Sequence, residues 1–550
     1  MPSRHNGRVA KLVTAVMALL WASAVALPQS DSLRTYPGEK IGWRPCGLAK
    51  GHDLECSDID VPMDHFDAGN SGDKTFTLPL IRMRGRNATQ NLVLNPGGPG
   101  ESGMAFLYTD GAHLRDVVGD GFHLLSFDPR GVNKSRPAAR CYPNKETRRR
   151  KFKLSDPDAF SRSEERYAWT QNYIQGCIDN MGEHGKYINT PQTAADMNSI
   201  LDAVGQQDMV FWGFSYGTLL GQTYAALFPE RSGRVVIDGV SDFFDWYESP
   251  ILRGDFLDTM NVFDGFFEEC VKAGDRCALA HRARTKEELR KVVLEFLRHL
   301  EAHPIPVYVD AERQGVLTYA TVLQSVIYSQ LYTPATWHVL ARHLSQVMDG
   351  NATETYFQYG EDKPDRIDEI NDIIDLNDGA SGPGHWPKGR QGLVDYLTPW
   401  YDSTPFFFQM NREYYAKQQW AIPRTHDFVP PRRVRMVHPM LIVSTTYDPI
   451  CPIASAKVAQ QAFEDSRLIE IKGYGHCSLA QPSLCMARHL RAYLEHGTMP
   501  DHHTVCDGDR PYFHPHKKTR LPRHLEGATE DDKIRAAQLA MSEVARWRRS

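Results

Sequence analysis

Met209-Val210-Phe211-Trp212-Gly213-Phe214-Ser215-Tyr216-Gly217 opens on four apolar residues and closes on a serine with glycine two places to either side, and Leu219 to Leu227 beyond it reads as helix. Continuous apolarity over so short a run predicts a strand buried on both faces, as in a parallel sheet. Ser215 then falls where strand turns sharply into helix. Glycine at 213 and 217 lets backbone pass where a Cβ would clash, and the helix N-terminus favours negative charge beside the hydroxyl. Ser215 is therefore a candidate nucleophile; the plain alternative is a glycine-rich helix entry carrying an inert serine.

A serine hydroxyl is a weak nucleophile near neutral pH, so it needs a base in contact with it and an acid to orient that base. Gly473-Tyr474-Gly475-His476-Cys477 supplies an imidazole in a loop that follows the apolar run Arg467 to Ile471. Thr446-Tyr447-Asp448-Pro449 supplies a carboxylate just past the run Met440 to Ser444. Taken singly, a histidine among 22 and an Asp-Pro turn are ordinary. As a set, after three strand ends and in the order Ser215, Asp448, His476, they make a catalytic triad the expected reading.

Similar runs extend the sheet. Asn91 to Asn95, Leu124 to Asp128 and Arg234 to Asp238 read as further buried parallel strands, whereas Asp58 to Pro62 and Thr75 to Ile81 alternate and suggest antiparallel strands at an edge. From about Phe243 to Arg432 the strands stop and helical, aromatic-rich segments take over. One of them, Thr285 to Leu300, opens on a capping box of Thr285 and Glu288. The acidic run Glu361 to Asp378 reads as a solvated helix face. The expected organisation is a signal over 1–26, the first part of a core over 27–242, a helical cap over 243–432, the second part of the core over 433–510, and a basic linker with a C-terminal helix over 511–550. In that last helix Ile534, Ala537, Met541 and Val544 share one face.

The chain has 550 residues, 41% hydrophobic and 24% charged, enough for a large core with an elaboration. Its formal charge of −5 makes it ill-suited to neutralising phosphates, so nucleic acid is not an expected partner. Arg4, Arg8 and Lys11 precede an apolar run that ends in Ala24-Val25-Ala26, the pattern of an export signal cleaved after Ala26. The apolar stretch Leu12 to Leu27 falls short of the roughly 20 residues that span a bilayer, so a secreted protein without a membrane anchor is expected. Ten cysteines downstream fit an oxidising compartment. Cys46/Cys56, Cys270/Cys277 and Cys477/Cys485 are the closest pairs, leaving Cys141/Cys177 and Cys451/Cys506, though sequence leaves other pairings and free thiols open. No CxxC pair stands beside a histidine cluster, so structural zinc is not indicated. Asn87, Asn133 and Asn351 head N-x-Ser/Thr sequons and are glycosylation candidates.

Asn95-Pro96-Gly97-Gly98-Pro99-Gly100 follows a strand and would turn backbone N–H groups toward the site; the oxyanion donors are assigned to the N–H groups of Gly98 and Tyr216. Gly98, Gly100 and Gly103 also satisfy GxGxxG, with Asp128 where a ribose-binding acid would stand, so a dinucleotide-dependent oxidoreductase is an alternative. Pro99 inside the turn and the otherwise unexplained serine elbow count against it. A catalytically dead binding protein is a third reading.

With Asp128-Pro129-Arg130-Gly131 and the closing segment Gly475-His476-Cys477-Ser478 with Pro482-Ser483-Leu484-Cys485, these motifs resemble the tripeptidyl aminopeptidase-like branch of the α/β-hydrolases, related to the prolyl iminopeptidases. The resemblance implies the α/β-hydrolase fold, a mostly parallel sheet flanked by helices with an inserted, mainly helical cap. It implies acyl transfer without metal or organic cofactor on a peptide substrate entered from its free N-terminus, or on a small ester or amide. Where relatives carry Ala-Ile-x-Cys-x-Asp, this chain has Ile373-Ile374-Asp375-Leu376-Asn377-Asp378, so the cysteine is lost. Asp378 survives as a candidate partner for a substrate ammonium.

Overall fold

The computed structural model describes residues 33–151, 160, 162–360, 369–407, 411–513 and 528–544. The expected signal over 1–26 lies outside the described residues, as do 361–368 of the acidic run and 514–527 of the linker. Twelve strands are formed among the described residues: β1 (Arg44–Ala49), β2 (His52–Pro62), β3 (Thr75–Met83), β4 (Gln90–Asn95), β5 (Phe122–Phe127), β6 (Met209–Phe214), β7 (Ser232–Asp238), β8 (Ile305–Tyr308), β9 (Gln314–Leu317), β10 (Leu441–Tyr447), β11 (Arg467–Tyr474) and β12 (His503–Cys506). Ten make one sheet in the order β1-β2-β3-β5-β4-β6-β7-β10-β11-β12. The three edge strands β1 to β3 are antiparallel, and every pair from β5 to β12 is parallel.

The apolar runs read as doubly covered strands are covered on both faces. Along β6, Met209 and Phe211 join the core under the helices Thr190–Ala203 and Tyr216–Leu227. Val210, Trp212 and Phe214 alternate with them into the core under the helices Gly103–Val118 and Leu484–His496. Strand order reverses at β4, which lies between β5 and β6 with Asn95 opposite Gly213. The loops that leave β4 and β6 therefore open side by side at the carboxyl ends of the strands, where such sheets build their sites.

Between β7 and β10 the chain is mainly helical around its own aromatic core, which includes Phe263, Phe266, Trp337 and Phe406. The capping box of Thr285 and Glu288 is formed and starts the helix Lys286–Ala302. Strands do not stop here altogether: β8 and β9 pair as a hairpin whose turn is held by Asp310 and Arg313. With four residues each they are too short to carry a legible period. The helix Glu369–Asp378 is buried along nearly its whole length, so this part of the acidic run is not a solvated face. Its charges are matched from the core side, Asp375 by Lys417 at 3.0 Å.

Three expected cysteine pairs are bridged, Cys46–Cys56, Cys141–Cys177 and Cys270–Cys277. The other two expectations fail: Cys485 bridges Cys506, and Cys451 and Cys477 are buried free thiols. The reason is topological. β12 pairs with β11 and carries Cys506 to the start of the helix Leu484–His496, whereas Cys477 lies against Gly239. The C-terminal helix Glu530–Ser542 packs Ile534, Ala537 and Met541 onto this core, with Val544 exposed beyond its end. The three sequon asparagines are exposed, but the Asn133 amide already donates to Asp128 and Ser102.

Arg130 of the Asp-Pro-Arg-Gly segment ties the edge strands to the sheet. It is fully buried, donates from Nε and Nη2 to both oxygens of Asp196, and satisfies its remaining donors on the carbonyls of Pro62, Met63 and Tyr187. Removing one member of such a pair strands a charge in the interior, at a cost of about 3–5 kcal/mol. Asp196→Ala is accordingly expected to lower the thermal unfolding midpoint by several degrees. An unchanged midpoint would mean that water, not Asp196, compensates Arg130.

Candidate active site

Ser215 follows β6 and precedes the helix Tyr216–Leu227, with φ 55° and ψ −126°. Positive φ is unfavourable for a residue with a Cβ, by about 1–3 kcal/mol, and survives only where the surroundings fix it. They do so here: Ser215 N donates to the carbonyl of Asp238 at 3.0 Å, and a Cβ on Gly213 would lie 2.3 Å from the carbonyl of Gly217. The loop after β4 closes on the same turn. A Cβ on Gly97 would stand 2.4 Å from the carbonyl of Phe214 and 3.1 Å from the amide nitrogen of Tyr216. Gly98, next along that loop, has φ +108°.

Asp448 follows β10 and His476 follows β11, two adjacent parallel strands with Tyr447 opposite Tyr474. Nδ1 of His476 stands 2.9 and 2.8 Å from the two oxygens of Asp448. The same carboxylate accepts backbone N–H groups from Ile450 at 3.0 Å, Cys451 at 2.9 Å and Cys477 at 3.1 Å. With Asp448 accepting at Nδ1–H, the imidazole keeps Nε2 for a second partner. From the cap, Tyr332 receives the His476 amide on its carbonyl at 2.9 Å and sets its ring edge-on to the imidazole at 5.1 Å.

Cys451 joins the serine to this pair. Its thiol neighbours the Ser215 hydroxyl and lies 3.6 Å from Oγ of Ser241. The sulfur, one Asp448 oxygen and one His476 ring nitrogen lie within 4.8 Å of one another. Burial, followed by the charges of Asp448 and Asp255, pushes the Cys451 thiol well above its ordinary pKa. Its spacing in the sequence offers only a left-over pairing with Cys506 and gives no sign of this position.

A second missed residue is Asp238, which ends β7 between the strands of Ser215 and Asp448. It accepts the Ser478 N–H at 2.8 Å and the Ser478 hydroxyl, and Trp212 Nε1 at 3.3 Å. Ser478 is two residues past His476, so Asp238 gives the histidine's loop a second anchor, from the end of β7. Burial raises its pKa to about 6 against these donors. The residue was visible in sequence only as the end of an apolar run.

Other expectations resolve differently. Asp128 is fully buried and accepts from Ser102, Met104 N, Asn133 and Lys134 N, a set that caps the helix Gly103–Val118 and leaves no edge for a ribose. Asp378 is also fully buried: it accepts from Thr190 N and hydroxyl and from Trp246 Nε1 at 3.0 Å, and Thr190 is bonded to the Tyr216 hydroxyl. It therefore fastens the cap to the residue beside Ser215. A cavity of about 490 Å³ bounded by Tyr167, Ile174, Pro383 and Gln418 contains none of Ser215, Asp448 or His476.

A family profile described as alpha/beta hydrolase fold matches residues 90–482. The chain is 27% identical over 527 residues to the serine protease Hip1 of Mycobacterium tuberculosis, covering 89% of this chain and 98% of that one. It is 26% identical to the tripeptidyl aminopeptidase of Streptomyces lividans, covering 85% and 86%, and 26% identical to a carboxylesterase B of Mycobacterium tuberculosis, covering 82% and 86%.

Asp238 supplies a pH test of this arrangement. Its folded pKa, about 6, lies above the unfolded carboxyl value of 3.8, so its contribution to stability is present below that unfolded value and is lost as pH rises through 6. Asp238→Asn cannot ionise. The unfolding midpoint of the variant is expected to gain on that of the native chain between pH 4 and pH 6 and to keep the gain above it. Parallel curves over that interval would contradict a buried, proton-binding Asp238.

Proposed function

The chain belongs to the α/β-hydrolase fold family, and on that premise we propose that it is a secreted serine hydrolase that releases short peptides from free N-termini through an acyl-enzyme. The carrying observation is the juxtaposition of the strained Ser215 turn with the buried Asp448–His476 pair through the shared neighbour Cys451. Ser215 Oγ attacks the carbonyl while His476 takes its proton; Asp448 holds the imidazole and stabilises its cationic form. The N–H groups of Gly98 and Tyr216 receive the oxyanion. His476 then passes the proton to the leaving amine, and water, activated in the same way, releases the acyl group and restores Ser215.

Export is supported by the four disulfides, which fit an oxidising compartment, together with the charged and apolar start of the chain. No helix among the described residues is long and apolar enough to cross a membrane. Asn87 and Asn351 are the stronger glycan acceptors, because the Asn133 amide is already bonded.

Preference for a free amino terminus is supported by Asp255, which we assign to the substrate ammonium in place of Asp378. It is half-buried in the loop after the helix Phe243–Glu248 and has no hydrogen-bond or ion-pair partner among the described residues. Burial, then the charges of Asp245 and Asp242, pushes its pKa up, and the nearby cation Lys417 is paired with Asp375. A carboxyl left so uncompensated, close enough to act on the Cys451 thiol, favours an arriving cation. The second reading, an esterase or amidase for a small metabolite, is favoured by the likeness to a carboxylesterase.

Ser215→Ala is expected to abolish labelling by a fluorophosphonate probe and to lower turnover by several powers of ten; retained labelling would refute the nucleophile. Aminoacyl and tripeptidyl anilides, their N-blocked versions and p-nitrophenyl esters separate the two readings: a requirement for the free amine supports the exopeptidase, and indifference supports the esterase. Asp255→Asn should cut kcat/KM for free-amine substrates roughly 10- to 100-fold, the worth of a charge-assisted hydrogen bond, and leave N-blocked esters unchanged. Because the raised pKa empties the carboxylate as pH falls, free-amine substrates should also lose activity at a higher pH than blocked ones.

A further inference from the structure

Eight of the ten cysteines are bridged; of the two free thiols, Cys477 adjoins the Ser215 backbone, and Cys451 lies with the side chains of Asp448 and His476. Cys451 is held there by its backbone: its N–H is bonded to Asp448, three residues earlier on the same turn, so acid and thiol move as one unit. A thiol, an imidazole and a carboxylate from the loops after two adjacent strands thus converge, each nine-tenths or more buried, with donor atoms within 4.8 Å of one another. We propose that Cys451, His476 and Asp448 form a site for a thiophilic divalent cation of the zinc class, and that the bound cation holds the hydrolase inactive.

The donor set selects the metal. Sulfur and nitrogen donors suit zinc, cobalt and cadmium, while magnesium and calcium require oxygen cages of higher coordination. In a tetrahedral zinc site, Zn–S near 2.3 Å and Zn–N near 2.05 Å set sulfur and nitrogen about 3.6 Å apart. Donors already within 4.8 Å reach that separation by rotation about side-chain bonds. Three protein ligands leave a fourth position for water, and the Ser215 hydroxyl stands beside the sulfur. Binding replaces the thiol proton, which leaves to solvent as the sulfur–metal bond forms. With a ring nitrogen of His476 committed to the metal, Ser215 has no base to take its proton. The cation is therefore a competitor of the proton relay and needs no contact with substrate.

The test uses the whole native chain. Micromolar zinc is expected to suppress fluorophosphonate labelling and a chelator to restore it, while millimolar magnesium does nothing. Cobalt, added in place of zinc, is expected to give a thiolate-to-metal absorption band at one equivalent. Cys451→Ser should remove the band and raise the zinc concentration needed for inhibition at least tenfold; His476→Gln, which keeps the thiol, should weaken cobalt binding as strongly, with both variants checked for native circular dichroism. Ser215→Ala should keep the band, so metal binding is read even if Ser215 is not the nucleophile. Equal zinc inhibition of native chain and Cys451→Ser, or cobalt binding without a thiolate band, would overturn the proposal.

Discussion

One carboxylate gathers the working end of the sheet. Asp448 receives the His476 ring N–H and three backbone N–H groups, two from its own loop and one from the loop after β11. Hydrogen bonds to a charged acceptor are worth about 1.5–3 kcal/mol each, so this cluster fixes two loops that the chain separates by 28 residues. It can do so only because β10 and β11 are parallel neighbours in a register that sets Tyr447 against Tyr474, delivering both loops to one edge at one height. Asp238 completes the frame from β7 by holding Ser478.

Ser215 is positioned by a different kind of constraint. Its turn is strained, and the strain is held by backbone close to backbone: Gly213 against Gly217, and Gly97 against Phe214 and Tyr216. No side chain fits at those contacts, which is why the glycines stand at fixed distances from Ser215 in the chain. The cap adds a third attachment. Asp378 reaches through Thr190 to the hydroxyl of Tyr216, and the carbonyl of Tyr332 accepts the His476 amide, so the insertion is fastened beside Ser215 and at His476.

These differences explain what sequence could reveal. Ser215, its flanking glycines and the doubly covered strands are local patterns, imposed by contacts between near neighbours, and they were legible. The edge strands were legible because β2 alternates with one face exposed from Asp58 to Pro62 and β3 begins in the same way over Thr75 to Leu78, before both of its faces are covered. Asp238 was not, since a strand-ending acid looks the same whether it meets solvent or a buried serine 240 residues away. The acidic helix misled for the same reason: its charges are answered by Lys417 and Thr190, whose nearness is a property of the fold and not of spacing. Cysteine pairing failed where it depended on β12 lying beside β11, and short separation favoured the wrong partner for Cys485.

That misassignment bears on the chemistry of the site. A disulfide at Cys451 would have removed the thiol that lies with Asp448 and His476 and drawn the turn that carries Asp448 toward β12. Left free, the thiol lies with Asp448 and His476 and 3.6 Å from Oγ of Ser241, a hydrogen bond that a residue without polar atoms would forfeit. Oxygen in its place would serve that bond equally well, so hydrogen bonding alone does not account for sulfur. What sulfur adds is affinity for soft cations, and the surrounding carboxylates make the position hospitable to positive charge. The residue that adjoins Ser215, Asp448 and His476 is thus also the one on which the proposed metal sensitivity rests.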